Sequence, residues 1–570
     1  INDIMSQLFD KIKVGSVKSS TFDLSHNQVT TSDFGYLIPI CYRDMVPNDR
    51  FTVKPDIFVR LAPLAVPTYG HIQCRVHHFF VPYRILFPHW DAFITQDPNN
   101  NYIPPYVLGS ALAESISFDP AYSSNPQPSE KRGNLTRLMS NLGLNPSAFL
   151  AQDSWLGDDR FAAFPFLAYY RIWLDWFMDS SIEDHTAKVA AFNDRIKDGG
   201  NLSNYFHDFL YTQFCCFKKD YFTTARQSPQ SGDASKVAVD LAKGDLNPGM
   251  VGTTNAGIYT NGSSVYRQGA SSGATNVIGE FTIEALRAAN SLQRWLEKNN
   301  FVGTKLINRM LAHFGVSPTP ERLDMSEFIG GSSFPIQIGD VTATSFEQGQ
   351  GDYMGLGAQA GKGVGRGTGE AVIYHAKEHG IYMTLMSILP DTGYYQGISR
   401  FWSKGVTGDA LDYFTPEFEN LGFQEVLNKE LYVPTSTDEY EDFVRDGIFG
   451  WQPRYAEYKF QQDILGGDFL TGSTTPTGFN LDSWHLFRKL SYDMRNPVAL
   501  NKNFVECNNH ANDYDRIFQY TNNEYDHFYF SIRCDVKATR PMDGFSAPSL
   551  ESANEGDGKM VNLPYGGTRL

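Results

Sequence analysis

The chain has no run of about 18 apolar residues of the kind that crosses a bilayer. Nor does a charged start lead into a short apolar core and a small-residue cleavage site. The expectation is a protein that neither spans a membrane nor carries a secretory leader. The six cysteines (Cys41, Cys74, Cys215, Cys216, Cys507 and Cys534) include no CxxC pair and no zinc spacing. Cys215 and Cys216 are adjacent and would form a strained bridge, so free thiols in a reducing compartment are expected. Charge is sparse at 20% of residues and acidic in balance, net −16 with a pI near 5.3. That excludes a protein that coats nucleic acid over its whole surface, while leaving room for a local basic patch. HExxH is absent as well.

Aromatics and turn formers are what the chain has in quantity. In 570 residues there are 42 Phe, 30 Tyr, 49 Gly and 29 Pro, and 41% of residues are hydrophobic. Such a chain can bury a large core, and its length alone would suggest several domains. The balance fits many strands and long ordered loops better than a helical protein.

The segment HIQCRVHHFFVPYR, His71 to Arg84, offers three histidines and a cysteine and so raises the question of a metal site. Its period answers against one. Ile72, Cys74, Val76, His78 and Phe80 alternate with Gln73, Arg75, His77 and Phe79, as in a half-buried strand stopped by Pro82. His77 and His78 then point to opposite faces, and Cys74 and His78 lie about 13 Å apart, too far to share an ion. Upstream, Phe22 to Gly70 alternates β-favouring residues with turns such as Pro47-Asn48-Asp49.

Helical spacing appears in FAAFPFLAYYRIWLDWFMD, Phe161 to Asp179, where Phe166, Tyr169, Tyr170, Trp173, Trp176 and Phe177 predict a buried aromatic face. FTIEALRAANSLQRWLEKN, Phe281 to Asn299, predicts a helix with Ile283, Leu286, Ala289, Leu292 and Leu296 on one face and Thr282 able to cap it. A shorter helix over Leu306 to Phe314 should end at Gly315. Ser228 to Gly279 is dominated by Gly, Ser, Thr, Asn and Ala, and is read either as a linker or as an exposed insertion that folds against copies of itself.

Catalytic signatures occur only as fragments. GASSG, Gly269 to Gly273, has the GxSxG letters without the strand and helix a nucleophile elbow needs. Asp391-Thr392-Gly393 follows an apolar run, but no second such triplet exists to share a proton, and a turn at a strand end explains it. GKGVGRG, Gly361 to Gly367, lacks the Ser or Thr and the spacing of a phosphate cradle. It reads as a mobile glycine loop, or one whose Lys362 and Arg366 touch a nucleic-acid backbone.

Several segments carry a stronger signal by their order. DLSHNQVTTSDFGYLIPICYRDMVPNDRF is followed by Phe79-Phe80-Val81-Pro82 with Arg84 and Trp90, then by FPFLAYYRIWLDWFMD and KKDYFTTARQSPQSG. LRAANSLQRWLEKNNFVGTKLINRMLAHFGVSPTPERLDMSEFIGGSS comes next, then Glu378-His379-Gly380, Tyr395-Gln396-Gly397, Arg454-Tyr455-Ala456-Glu457-Tyr458, Trp484-His485 and Arg540-Pro541-Met542. In this order they resemble the major capsid protein of the Microviridae, tailless phages with circular single-stranded DNA, and are most similar to its gokushovirus-like branch. The departures are His77-His78, where many relatives carry phenylalanine, and residues 361–367, which have no place in the family pattern.

The resemblance implies a mainly β protein: an eight-stranded antiparallel jelly roll of viral capsid type with long loop and helical insertions, one subunit over residues 1–570. It implies self-assembly into a T=1 icosahedral shell around a single-stranded DNA genome, with no active site, metal or cofactor. Residues 228–279 match the place of an insertion that forms three-fold protrusions, and host attachment is expected of it. Lys362, Arg366, Lys218 and Lys219 are the candidate DNA contacts. Expected partners are further copies of the chain, the genome, a small basic DNA-binding protein, minor or scaffolding proteins and a host receptor, without membrane insertion. The expected location is the virion, assembled in the bacterial cytoplasm. The competing reading is a secreted carbohydrate-binding or hydrolytic β-protein, with aromatics stacking on sugars and a carboxylate pair doing the chemistry.

Overall fold

The computed structural model describes residues 19–98, 101–117, 134–149, 156–205, 209, 211–232, 240–241, 258–261, 264–267, 279–280, 283–342, 359–406, 410–419, 421–433, 447–470, 481–490, 499–508, 513–519 and 526–542. Its framework is one curled ten-stranded sheet. The strands are β1 (Ser20–Asp23), β2 (His26–Ser32), β3 (Ile38–Met45), β4 (Arg50–Leu61), β5 (His71–Pro82), β6 (Glu327–Thr342), β7 (Gln359–Thr368), β8 (Val372–His375), β9 (Gly380–Asp391) and β10 (Phe528–Arg540). All their pairings are antiparallel.

Two walls can be read from these ladders. One runs β2, β10, β4, then β7 and β8, with β1 extending the β10 edge. The other runs β3, β9, β5, β6. β6 belongs to both: Glu327 to Ile336 pair with β5, and Gln337 to Thr342 pair with β7. With β7 and β8 sharing one position, these strands fill the eight positions of a jelly roll. The framework strands come from residues 20–82, 327–391 and 528–540, and the two long stretches between them are insertions.

Periodicity shows what covers each wall. Along β4, Phe51, Val53, Ile57 and Val59 are buried, while Arg50, Lys54 and Arg60 are exposed. This is the alternation of a strand with one open face. β9 is instead buried from Gly380 to Pro390 without alternation, because the second wall is covered on both sides. On its outer side lies α1 (Phe164–Ile172), continued by a π-helical turn over Trp173–Phe177. Adjacent phenylalanines on β5 show the layering: Phe80 points between the walls onto Tyr374, and Phe79 points the other way onto Trp176, Phe177 and Phe328.

Several expectations hold and others need correction. β5 ends at Pro82, with His77 and His78 on opposite faces. His78 Nδ1 lies 3.0 Å from Thr384 Oγ1 and 2.8 Å from Tyr382 OH. The predicted helix at 281–299 is α2 (Ile283–Val302), and the shorter one is α3 (Leu306–Phe314), closed by Gly315 in the left-handed region with its N–H on Leu311 O. Thr282 and GASSG lie outside the described residues. Trp176, predicted to be buried, is 37% exposed. The π-helical turn departs from the α-helical spacing on which that expectation rested, and the indole N–H instead donates to Ser326 O at 3.0 Å.

GKGVGRG is not a loop. It is the body of β7, with Gly361, Gly363, Gly365 and Gly367 on the inward side and Lys362 and Arg366 outward. Large neighbours occupy the space the glycines leave. A Cβ on Gly365 would stand 2.8 Å from Val59 and 3.1 Å from Ile336, and one on Gly367 would enter the Phe334 ring. Gly365→Val should therefore lower subunit stability by about 1 to 3 kcal/mol through overpacking. The urea midpoint of dissociated subunits checks this, and an unchanged midpoint would show that the wall can give way at that point.

Candidate functional site

Outside the framework, the insertions are held by buried polar groups drawn from distant segments. Asp175, in the π-helical turn, is the centre of one such set. Its Oδ2 receives Arg171 Nε at 3.0 Å, Ser326 N–H at 2.8 Å and Ser326 Oγ–H at 2.9 Å, and its backbone carbonyl receives Lys305 Nζ at 2.7 Å. His185 Nε2 stands 3.7 Å from Oδ1. Burial works against the Asp175 charge, but the Arg171 guanidinium, His185 and the Ser326 N–H outweigh it and hold the carboxyl below its ordinary range. This arrangement ties α1, the start of α3 and the entry to β6 together.

The residues carrying the capsid resemblance are tie points of the same kind. Arg84, just after β5, donates to Glu378 at 2.9 Å and also binds Asp324 and the Glu321 carbonyl. Trp90 packs on Tyr83 and Phe164. Gln396 exchanges hydrogen bonds with the Leu490 backbone in both directions, and Gly397 lies so close to Glu430 O that a Cβ would stand 2.1 Å from it. Tyr395 packs on His485. Arg454 and Tyr455 OH both donate to Leu411 O, with Tyr455 in the left-handed region. Arg540 donates to Asp44 O at 2.6 Å, and Pro541 follows at the end of β10. A second apolar cluster (Tyr221, Phe222, Tyr394, Val426, Phe449, Phe504) forms where the two insertions meet. Buried Arg488 closes it, donating to Tyr394 OH and Phe504 O.

What the insertions do not bury is as informative. The apolar face predicted for α2 is there, but Ile283, Leu286 and Leu292 are exposed, with Trp295 beside them. On α3, Leu306, Leu311 and Phe314 are exposed, Phe314 to 79%. The 398–464 stretch adds Trp402 at 74%, Val406 at 77% and Ile464 at 83%. Large apolar side chains grouped on helices and turns in this way mark contact with another protein surface.

The four candidate DNA contacts separate. Lys362 and Arg366 share the exposed face of β7, where Arg366 pairs with Asp56 at 3.2 Å. Lys218 and Lys219 lie in the insertion away from that face, exposed, with Lys218 3.5 Å from Asp391. Asp391 ends β9 and Thr392 Oγ1 donates to Leu486 O, so the Asp-Thr-Gly triplet is a strand-end turn. All six cysteines are free thiols. Among the described residues, two groups bring ligand atoms close enough to hold an ion: His26 with Cys41 and Cys534, and buried Asp33 with Asp515 and His527. Their members come from opposite ends of the chain, so no local spacing could have revealed them. In the second group His527 Nδ1 already bonds Asp33 at 3.0 Å.

A jelly roll whose insertions leave apolar surface uncovered is an architecture of virus capsid subunits. The chain belongs to the phage capsid family described as Capsid protein (F protein), whose pattern matches residues 10–122 and 150–550. Similar proteins include Capsid protein VP1 of Chlamydia phage 1, 27% identical over 96% of this chain and 98% of that protein. Capsid protein VP1 of Bdellovibrio phage phiMH2K is 26% identical over 93% and 95%. That of Spiroplasma virus 4 is 22% identical over 84% and 86%. The resemblance to Microviridae capsid proteins therefore holds across nearly the whole chain, and the reading as a secreted carbohydrate-binding or hydrolytic β-protein gives way to that of a capsid protein.

Two predictions follow from the buried groups. Asp175→Asn should destabilise the subunit by about 3 to 5 kcal/mol, because Arg171 is left buried without its counter-charge; a denaturant titration that finds under 1 kcal/mol would remove Asp175 from the centre of this arrangement. Burial, with Arg75 adding, lowers the His77 pKa from 6.5 to about 4. The folded subunit thus keeps the ring neutral while the unfolded chain protonates, so this stability is full above pH 6.5 and falls as the pH drops toward 4. His77→Phe should flatten that loss by up to about 3 kcal/mol, read from melting temperatures across the range.

Proposed function

We propose that this subunit assembles with copies of itself into a T=1 icosahedral shell that encloses a circular single-stranded DNA genome. The observation that carries the self-assembly is the exposed apolar surface of α2, α3 and the 398–464 stretch, on a chain whose framework strands bury most of their apolar side chains. The shell has no catalytic role in this reading. It forms in the bacterial cytoplasm and is found in the virion. A small basic DNA-binding protein and minor or scaffolding proteins supply what an acidic subunit lacks.

The segment 228–279 is assigned to the three-fold protrusion and to host attachment. Most of it lies outside the described residues, but its two legs meet: Asp240–Leu241 pair antiparallel with Gly279–Glu280, and Ile258–Asn261 pair with Ser264–Arg267. An out-and-back course of this kind supports a projecting arm anchored at one place.

Negative-stain microscopy and light scattering of protein from its natural source should show uniform icosahedral particles a few hundred ångströms across, at the order of magnitude a single-subunit-type shell of such domains reaches. A monodisperse monomer or dimer at every concentration and salt would refute the assembly. Removing residues 242–278 should leave particles intact while host adsorption is lost; normal adsorption would take the attachment role away from this segment.

A further inference from the structure

We propose that His26, Cys41 and Cys534 form a binding site for a thiophilic ion, Zn²⁺, that clasps the two walls together where the ends of the curled sheet meet. Neither the cysteine spacing nor the family resemblance implies such a site. The corner at β6 is held by backbone ladders on both sides. The sheet also has two ends, β10 with β2 on it and, at the other, β3. Among the described residues no ladder joins β3 to β2 or β10. The contacts across this seam involve side chains: Gln28 Nε2 donates to Pro39 O at 3.4 Å, and Cys534 Sγ lies 3.7 Å from Ile40 O.

Register, not sequence spacing, brings the three ligands to the seam. His26 and Cys534 stand directly opposite each other across β2 and β10, so their side chains leave the same face of the first wall. Cys41 comes from the second wall. The ladder between β3 and β9 shifts at that point: Thr384 pairs with Cys41 and Leu385 with Pro39, which makes Ile40 the extra residue of a bulge. Bulges re-aim the side chains beside them, and here Ile40 and Cys41 are buried in succession. The Cys41 and Cys534 thiols hydrogen-bond to one another. All three ligand atoms lie within 4.8 Å of each other, with both cysteines buried and His26 half-buried.

Two sulfurs and an imidazole, with no carboxylate among them, select zinc over the oxygen-seeking Ca²⁺ and Mg²⁺. Tetrahedral zinc sets such ligand atoms roughly 3.5 to 3.8 Å apart, so side-chain rotations have about 1 Å to close. On binding, two S–Zn bonds and one N–Zn bond form, and the two thiol protons pass to solvent. The two thiolates cancel the charge of the ion, which can then be buried without excess charge. Arg43, 3.4 Å from the His26 ring, adds a positive charge that favours the thiolate form of both cysteines. The half-exposed His26 side leaves the fourth position to water. The ion would give the seam the closure that paired peptides give the corner.

The test titrates the full, untagged chain, stripped of metal under a thiol-free reductant, with Zn²⁺ and with Co²⁺ as its spectroscopic stand-in. One equivalent should bind per chain, Co²⁺ should develop thiolate-to-metal charge-transfer absorption, and Zn²⁺ should raise the melting temperature. Cys41→Ser and Cys534→Ser should each abolish the absorption, while Cys216→Ser matches wild type. His26→Gln, at a half-exposed position on a strand paired on one side only, should keep the fold and weaken binding about tenfold or more. If the serine variants do not fold, His26→Gln decides alone, and wild-type affinity in it overturns the site. Absence of charge-transfer absorption at one equivalent of Co²⁺ would overturn it too, as would a Cys41–Cys534 disulfide formed in air by a chain that takes up no metal when reduced. Binding that survives in the serine variants and is lost in Asp33→Asn would move the ion to Asp33, Asp515 and His527, and likewise overturn the proposal.

Discussion

Each peptide group buried in a folded chain must find a hydrogen-bond partner, and β6 meets that demand for both walls at once. Its first part completes the ladder to β5 and its last residues complete the ladder to β7, so the two walls are one continuous sheet turned through a corner. Everything else is placed relative to that corner. β5 and β9 stack behind it as the covered wall, and β7, β4 and β10 run from it as the bare one. The walls could not enclose Phe51, Phe80 and Tyr382 between them if the strand were broken there.

The insertions depend on a different device. They are too irregular to satisfy their backbone mainly in ladders, and they dock instead through charged groups placed out of water: Asp175 with Arg171 and Lys305, and Arg488 against Tyr394 and two phenylalanine rings. Such groups add little net stability over apolar packing, but an insertion docked in any other way would leave a charge buried without its partner. Position is what they supply. A subunit that must present helices and turns to its neighbours at fixed angles has use for that specificity more than for additional burial.

How much of this could be read in the sequence depended on whether the signal was local. β5 was legible because alternation and Pro82 lie within one stretch, and the end of α3 because Gly315 adopts the conformation that stops a helix. The apolar face of α2 was legible as a stripe, but a stripe says which side is apolar and not what covers it, so the exposure of Ile283 and Leu286 could not be read from it. β7 was misread because alternate glycines carry no β-forming side chains; their role shows only once Val59, Ile336 and Phe334 are seen to fill the space. The pairing of Arg366 with Phe58 on β4, and the meeting of Asp175 with Ser326, join residues far apart in the chain, and no spacing rule reaches them.

The paired base of the 228–279 segment has a consequence for descent. Because Asp240–Leu241 and Gly279–Glu280 lie side by side, the segment leaves and re-enters the fold at one place. Doubling the length of a loop closed in this way costs only about 0.6 kcal/mol. Lineages can therefore lengthen, shorten or rewrite what lies beyond the base while the walls and their contacts are inherited unchanged. Divergence between related phages should concentrate there, since it is the part of the subunit where change is least constrained by the geometry of the rest.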